Sequence, residues 1–111
     1  LLLQPLVENA IYHGTSLLEG KGFISIYGYL EEDTMVFQVS DNGPGIPKER
    51  VTLINDYING RNDSLHNIGL RNVNRRIHLN YGDTYGITLK SVKGRGTLTT
   101  LTVGTQIEGM E

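Results

Sequence analysis

The chain has 111 residues, enough for one compact domain with little room for a second. Its hydrophobic fraction of 38% and charged fraction of 20% are those of an ordinary globular protein, and a formal net charge of −2 gives no general attraction to nucleic acids or anionic membranes. The absence of cysteine excludes disulfides and cysteine-based metal sites.

The first residues lack the features of a membrane segment or a signal peptide. The run Leu1-Leu2-Leu3 meets Pro5 almost at once, so it is too short to span a bilayer. It has neither the basic start nor the small-residue cleavage site of a secretory signal. Because the chain begins in the middle of a helical pattern and without methionine, we expect it to be a fragment of a longer protein.

The first half of the chain predicts one helix and two strands. Apolar residues at helical spacing favour a helix over residues 2–14, with Pro5 in its first turn, where the missing N–H does little harm. Alternating apolar residues then indicate a strand over residues 23–30. A polar connection leads to a second strand over residues 34–41, which ends at the sharp break Asn42-Gly43-Pro44-Gly45.

The second half predicts two helices followed by two strands. Residues 47–58 favour a helix that begins with proline, and the polar residues 59–67 favour a loop. Apolar spacing indicates a third helix over residues 70–81, and residues 86–92 and 97–104 have the pattern of two strands. The order α-β-β-α-α-β-β predicts an α+β sandwich, with helices on one face of a largely antiparallel sheet.

Asp41 is the most informative single residue. Side chains alternate along a strand, so Asp41 shares the face of Phe37 and Val39, which is the predicted core face. A carboxylate there is costly unless donors surround it. One interpretation is that Asp41 caps the following turn. The other is that it accepts a hydrogen bond from an exocyclic amine such as the adenine N6 group, with Gly43 and Gly45 allowing a ligand close to the backbone.

A second candidate group lies on the first predicted helix. Asn9 lies off the apolar stripe, and Pro5 and His13 are one turn away on the same side, with Glu8 adjacent. An amide oxygen beside phosphates is a reasonable Mg²⁺ ligand, because Mg²⁺ takes few protein ligands and keeps water and phosphate oxygens. The alternative is an ordinary surface asparagine.

A third candidate is the helix start Asn67-Ile68-Gly69-Leu70-Arg71. Unpaired N–H groups and the positive end of the helix dipole bind phosphate, Gly69 permits close approach, and Arg71 adds a charged donor. The alternative is a helix N-terminus without a ligand.

Other patterns carry less chemistry. Gly94-Arg95-Gly96-Thr97 has the form of a hairpin turn, and Arg75 and Arg76 are expected on a solvated face. No Gly-x-x-x-x-Gly-Lys-Ser/Thr phosphate loop is present. The three histidines lack the spacing of metal ligands (His13, His66 and His78).

Taken together, the order of these segments resembles the LytS-like sensor histidine kinases. Residues 3–14, LQPLVENAIYHG, resemble their N box, and residues 41–46, DNGPGI, resemble the first glycine box. Residues 68–77, IGLRNVNRRI, resemble the second glycine box and its helix, and residues 94–97, GRGT, the closing element. The resemblance runs from Leu1 to about Val103, nearly the whole chain.

The resemblance implies the Bergerat ATP-binding fold of gyrase, MutL and the histidine kinases, a two-layer sandwich whose mixed, mostly antiparallel sheet carries helices on one face. It also implies ATP and Mg²⁺ as ligands, with the metal on Asn9, adenine on Asp41 and a lid over residues about 46–67. It extends the nucleotide-binding set to a further group of positions: His13, Gly43, Gly45, Ile46, Ile68, Gly69, Leu70, Arg71 and Thr97.

As a reaction, the resemblance implies transfer of the ATP γ-phosphoryl group to a histidine on a separate dimerisation segment, and then to an aspartate on a response regulator. The full-length protein is then expected to be a membrane-anchored homodimer whose catalytic domain is cytoplasmic. The chain itself is expected to position nucleotide only, with Glu8 as the one candidate for a catalytic role.

Several departures from the family pattern modify these expectations. Tyr12 occupies a position that usually holds lysine, and Asn67 replaces a common glycine. Pro5 stands where hydrolytic relatives place a water-activating glutamate, which predicts weak or no ATP hydrolysis. Two alternatives stay open: a regulatory module resembling anti-sigma factors, and a degenerate domain that no longer binds nucleotide. If an outer strand is missing, the exposed sheet edge predicts self-association.

Overall fold

The computed structural model describes residues 3–15, 19–63 and 68–105. Its elements follow the predicted order, with bounds that differ from the predicted ones by a few residues at most. In chain order they are α1 (Gln4–Tyr12), β1 (Ile24–Glu31), β2 (Thr34–Asp41), α2 (Lys48–Ile58), α3 (Ile68–Tyr81), β3 (Gly86–Val92) and β4 (Gly96–Gly104). No helix within these ranges is long and apolar enough to cross a bilayer.

Proline and glycine set the ends of the helices. Pro5 lies in the first turn of α1, and Pro47, with φ −59° and ψ 147°, is the N-cap of α2. At both places a proline fits because the first helical N–H groups have no partner within the helix. Gly60 follows α2 with φ +76°, a left-handed conformation that glycine adopts at little cost.

The four strands form one sheet in the order β1-β2-β4-β3. Each of the three pairings in the described part of the chain is antiparallel, so the parallel component of the expected mixed sheet is not found there. The two hairpins, β1–β2 and β3–β4, meet along β2 and β4. This register places Asp41 between Ile24 on β1 and Thr97 on β4.

The hydrophobic core lies between the helices and one face of this sheet. Leu6, Leu70 and Leu101, from α1, α3 and β4, are each 0% exposed. Further core side chains come from all three helices and from β2, β3 and β4: Ala10, Val39, Ile58, Val73, Ile77, Ile87 and Val103. Burial of this one face therefore fixes which residues of β2 and β4 point toward the helices.

Two asparagines close the outer edge of β3. The Asn55 amide on α2 donates to the Leu89 carbonyl and accepts from the Leu89 N–H, both at 2.9 Å. The Asn74 amide on α3 accepts from the Ile87 N–H at 2.8 Å and donates to the Ile58 carbonyl at 3.2 Å. The side chains thus replace a neighbouring strand and tie α2 and α3 to the sheet.

The opposite edge of the sheet, strand β1, is much less covered. Ile26 is 56% exposed and Leu30 is 61% exposed, although both are large apolar side chains. Tyr27 and Tyr29, on the other face, are also exposed, and their rings lie 6.0 Å apart. A strand with apolar side chains and an unpaired edge invites pairing with another strand.

Candidate functional site

Asp41 points toward the helices, as its position in β2 predicts. Its Oδ1 accepts a hydrogen bond from the Gly43 N–H at 2.8 Å. Gly14, just after α1, lies against the carboxyl group, and a Cβ at that position would be 2.6 Å from the Asp41 Cγ. Burial raises the pKa of Asp41, and hydrogen bonds from the Gly43 and Thr97 backbone partly oppose this rise. The carboxylate is therefore partly desolvated and capable of accepting from a ligand.

The glycine turn after β2 is held against the β3–β4 hairpin. Gly45 has φ +73° and lies directly on the Val92 carbonyl, where a side chain has no room. The Pro44 carbonyl accepts from the Gly94 N–H at 2.6 Å. The first glycine box and the closing Gly-x-Gly-Thr element, distant in sequence, form one bonded unit.

A polar row crosses the inner face of the sheet beside Asp41. Thr97, 7% exposed, is its neighbour on β4, and Ser91 on β3 is the neighbour of Thr97. The Ser91 and Thr97 hydroxyl oxygens are 2.8 Å apart, and Ser91 Oγ also accepts from the Ile46 N–H at 2.8 Å. Ser91 was missed by the sequence reasoning, although its alternation with the buried Ile87 and Leu89 places it on the inner face.

An open cavity of about 190 Å³ lies between α1 and the start of α3. It brings together four of the predicted site residues, Asn9, His13, Ile68 and Gly69. The remaining lining residues are Pro5, Glu8 and Tyr12. The N box and the second glycine box therefore face each other across one cleft. Asp41 lines a different cavity, of about 360 Å³, together with Ser91 and Thr97.

The residues on this cleft fit a magnesium–nucleotide complex. Asn9 offers one amide oxygen, and one protein oxygen is enough when phosphates and water complete the Mg²⁺ shell. Within the described ranges no cluster of three or more histidine or acidic side chains is present that would hold a metal without phosphate. The Glu8 carboxylate accepts from the Gln4 amide on the exposed side of α1, at 3.2 Å.

Seven predicted nucleotide residues do not line this cavity: Asp41, Gly43, Gly45, Ile46, Leu70, Arg71 and Thr97. Leu70 is fully buried in the core, so its side chain is not open to a ligand. Arg71 turns toward the loop after α2, where its Nη1 lies 2.7 Å from Asp63 Oδ1 and its guanidinium lies 4.7 Å from the Tyr57 ring centroid. The hydrogen bond to Asp63 raises the pKa of Arg71.

The remaining predictions concern two arginines of α3, the lid range and two residues just before α3. Arg75 and Arg76 are exposed, as expected for a solvated face. Within the predicted lid range, 46–67, the structure describes the packed helix α2, whose last residues Tyr57 and Ile58 are 3% and 1% exposed. His66 and Asn67 lie outside the described residues.

Comparison with known proteins assigns this arrangement to a class. A model of the family described as histidine kinase-, DNA gyrase B-, and HSP90-like ATPase matches residues 1–107. The chain belongs to this family, and the ATP-binding fold implied by the resemblance is confirmed.

Within this family, the chain is similar to sensor histidine kinases. The chain is 33% identical over 103 residues to the sensor histidine kinase YesM of Bacillus subtilis, covering 93% of the chain and 16% of that protein. It is 34% identical over 76 residues to the sensor protein LytS of Oceanobacillus iheyensis, covering 68% of the chain and 13% of that protein. The predicted likeness to LytS-type sensor kinases is thus confirmed, and the chain spans about a quarter or less of the length of the curated relatives it matches.

Solved structures agree on the fold. The catalytic domain of the histidine kinase ThkA superimposes with a TM-score of 0.67 at 21% identity, over 95% of this chain and 63% of that one. At this level of identity the superposition shows a shared fold, here the helix-on-sheet sandwich.

Proposed function

We propose that the chain is the ATP-binding catalytic domain of a sensor histidine kinase. The observation that carries this proposal is the partly buried carboxylate of Asp41, which packs against Gly14 after α1 and accepts from the Gly43 N–H of the glycine turn. Asp41 also lines a cavity of about 360 Å³ together with Ser91 and Thr97. A partly desolvated acceptor beside a cavity suits an exocyclic amine better than it suits a structural cap alone, because a cap gains nothing from burial.

The cleft supplies the functions that a nucleoside triphosphate requires. Asp41 accepts from the adenine amine, and Gly43 and Gly45 keep the backbone close to the base. Asn9 supplies an oxygen to Mg²⁺, which when bound neutralises phosphate charge. The start of α3 at Ile68 and Gly69 presents backbone N–H groups and the positive end of a helix dipole to the phosphates.

The chain positions the nucleotide without activating water. Pro5 occupies the cavity wall one turn before Asn9 and has no group that accepts a proton. Glu8, the other candidate, lines the same cavity, but its carboxylate accepts a hydrogen bond from the Gln4 amide at 3.2 Å. We therefore assign weak hydrolysis to this domain, and a γ-phosphoryl acceptor histidine to a segment outside it. Phosphoryl transfer needs mainly alignment and charge neutralisation from a protein.

The remaining partners follow from the same proposal. A phosphohistidine on the dimerisation segment would pass its phosphoryl group to an aspartate of a response regulator. The domain would work on the cytoplasmic side of a membrane-anchored homodimer, where ATP is available.

Titration of the purified chain with Mg-ATP in a calorimeter tests the proposal. We expect saturable binding in the wild type, weaker binding when EDTA removes Mg²⁺, and a higher melting temperature with nucleotide. A ligand at 100 times its Kd stabilises the folded state by about 2.7 kcal/mol. A wild-type chain that is folded but neither binds nor is stabilised by adenine nucleotides would refute the assignment.

A further inference from the structure

Ser91 has more hydrogen-bond contacts than a single hydroxyl can satisfy as a donor. Its Oγ lies 2.8 Å from the Ile46 N, 2.8 Å from the Gly96 carbonyl oxygen and 2.8 Å from the Thr97 Oγ1. A serine hydroxyl has one proton to give and two lone pairs to offer. Three partners at this distance therefore determine the direction of each bond.

The Gly96 carbonyl and the Ile46 N–H fix the direction of two of the Ser91 hydrogen bonds. The Gly96 carbonyl only accepts, so it takes the Ser91 proton, and the Ile46 N–H only donates, so it uses one Ser91 lone pair. The remaining bond must then run from the Thr97 hydroxyl to Ser91. The single proton of Thr97 is committed to Ser91, and its oxygen keeps only lone pairs for any other partner.

Thr97 and Asp41 are directly paired residues on the same sheet face. Side chains in such pairs lie about 5 Å apart, close enough to contact the same small group. Both present acceptors only, the carboxylate by its charge and the threonine by the direction imposed from Ser91. Asp41 and Thr97 line one cavity of about 360 Å³, which therefore favours a group with two N–H donors and disfavours a carbonyl oxygen.

We infer that Ser91 is a specificity-determining positioning residue. By holding the Thr97 proton, it makes the site select a 6-amino purine over a 6-oxo purine. This inference rests on the proposed nucleotide function and deepens it, because it names a residue that affects the choice of base through the Thr97 hydroxyl.

The experiment compares ATP with inosine 5′-triphosphate, which carries the same phosphates and a carbonyl in place of the amine. Calorimetric Kd values for both nucleotides, with Mg²⁺, are measured for the wild type, Ser91→Ala and Ser91→Thr. In Ser91→Ala the Thr97 hydroxyl is released to rotate and donate to a carbonyl. We expect the preference for ATP to fall by about three- to tenfold, the value of one neutral hydrogen bond. Ser91→Thr, which keeps the hydroxyl, should restore it.

Two further variants separate selectivity from structure. Thr88→Ala is the matched control, because Thr88 lies on the exposed, opposite face of the same strand β3, and it should leave the preference unchanged. Thr97→Val removes the acceptor itself, so it should weaken the binding of ATP and leave the binding of inosine triphosphate nearly unaffected. This variant also tests the inference if Ser91→Ala fails to fold.

The outcomes distinguish the two levels of the proposal. Equal loss of affinity for both nucleotides in Ser91→Ala and in Thr97→Val would mean that this row is merely structural, and would overturn the inference while ATP binding stands. A wild type that binds neither nucleotide would refute the proposed function, and the inference with it.

Discussion

Replacement of Asp41 by asparagine removes the charge at the end of strand β2 and changes little else. The variant keeps the size of the side chain. It also keeps an oxygen that can accept from the Gly43 N–H, which lies 2.8 Å from Oδ1 in the wild type. It removes the negative charge and replaces one carboxylate oxygen with an NH2 group. This NH2 group is a hydrogen-bond donor, as the adenine amine is, so the two groups cannot bond to each other. A hydrogen bond to a charged group contributes about 1.5–3 kcal/mol, so the Kd for Mg-ATP should rise by about 10- to 100-fold.

The same variant should alter stability with pH in a defined direction. Burial raises the pKa of Asp41 above 3.8, so the folded state binds this proton more tightly than the unfolded state does. The contribution of Asp41 to stability is therefore complete below pH 3.8 and is lost as the pH rises through the higher folded-state value. Asparagine does not titrate, so the stability of Asp41→Asn relative to wild type should improve between acidic and neutral pH.

Thermal unfolding without nucleotide, at several pH values between about 3 and 7, measures this difference in stability. Addition of Mg-ATP at neutral pH measures how strongly the nucleotide stabilises each protein. Wild type should be stabilised by nucleotide and Asp41→Asn should not. The reasoning fails if the melting-temperature difference between the two proteins is independent of pH and both respond equally to ATP. Such a result would make Asp41 a solvated cap of the turn.

The remaining predictions concern the α2–α3 side and the sheet edge. Asp63→Asn should tighten Mg-ATP binding by up to about fivefold, because an exposed ion pair of less than about 1 kcal/mol no longer holds Arg71, whereas Arg71→Gln should weaken it, both by calorimetry. Asn74→Ala should lower the free energy of unfolding in urea by about 2 kcal/mol or more, since the Ile87 N–H loses its buried acceptor; a loss under about 0.5 kcal/mol would contradict this. The wild type should self-associate with rising concentration in sedimentation, and Ile26→Lys should reduce this by placing a charge on the exposed strand β1.

The order of the elements and the inward position of Asp41 could be predicted from the sequence, and local chemistry explains why. Strand β2 ends at Asp41 as predicted, because a run of alternating residues meets an Asn-Gly-Pro-Gly break that no strand continues through. The inward orientation of Asp41 follows from period-two alternation once Val39 is buried. These inferences need only neighbours in sequence.

The parts that were missed depend on partners distant in sequence. In the sequence, Asn55 and Asn74 look like ordinary residues on a helix surface. Only the packing of α2 and α3 beside β3 brings their amides to the backbone of that strand. Arg71 was expected at the phosphates because it begins a helix after glycine. Its carboxylate partner, Asp63, is eight residues away in a loop, and no periodicity indicates which anion a surface arginine selects.

The two sides of the proposed site are consequently held to different degrees. On the proposed base side, three strands and the bonded glycine turn fix Asp41, Thr97 and Ser91. On the phosphate side, the cation at the start of α3 is already paired with Asp63 and must exchange that carboxylate for a phosphate. Adenosine should therefore bind the wild type and Asp63→Asn alike, and the variants should separate only when phosphates are present. An equal gain for adenosine and ATP in Asp63→Asn would mean that the Asp63 pair acts on the whole fold and not on the phosphate half.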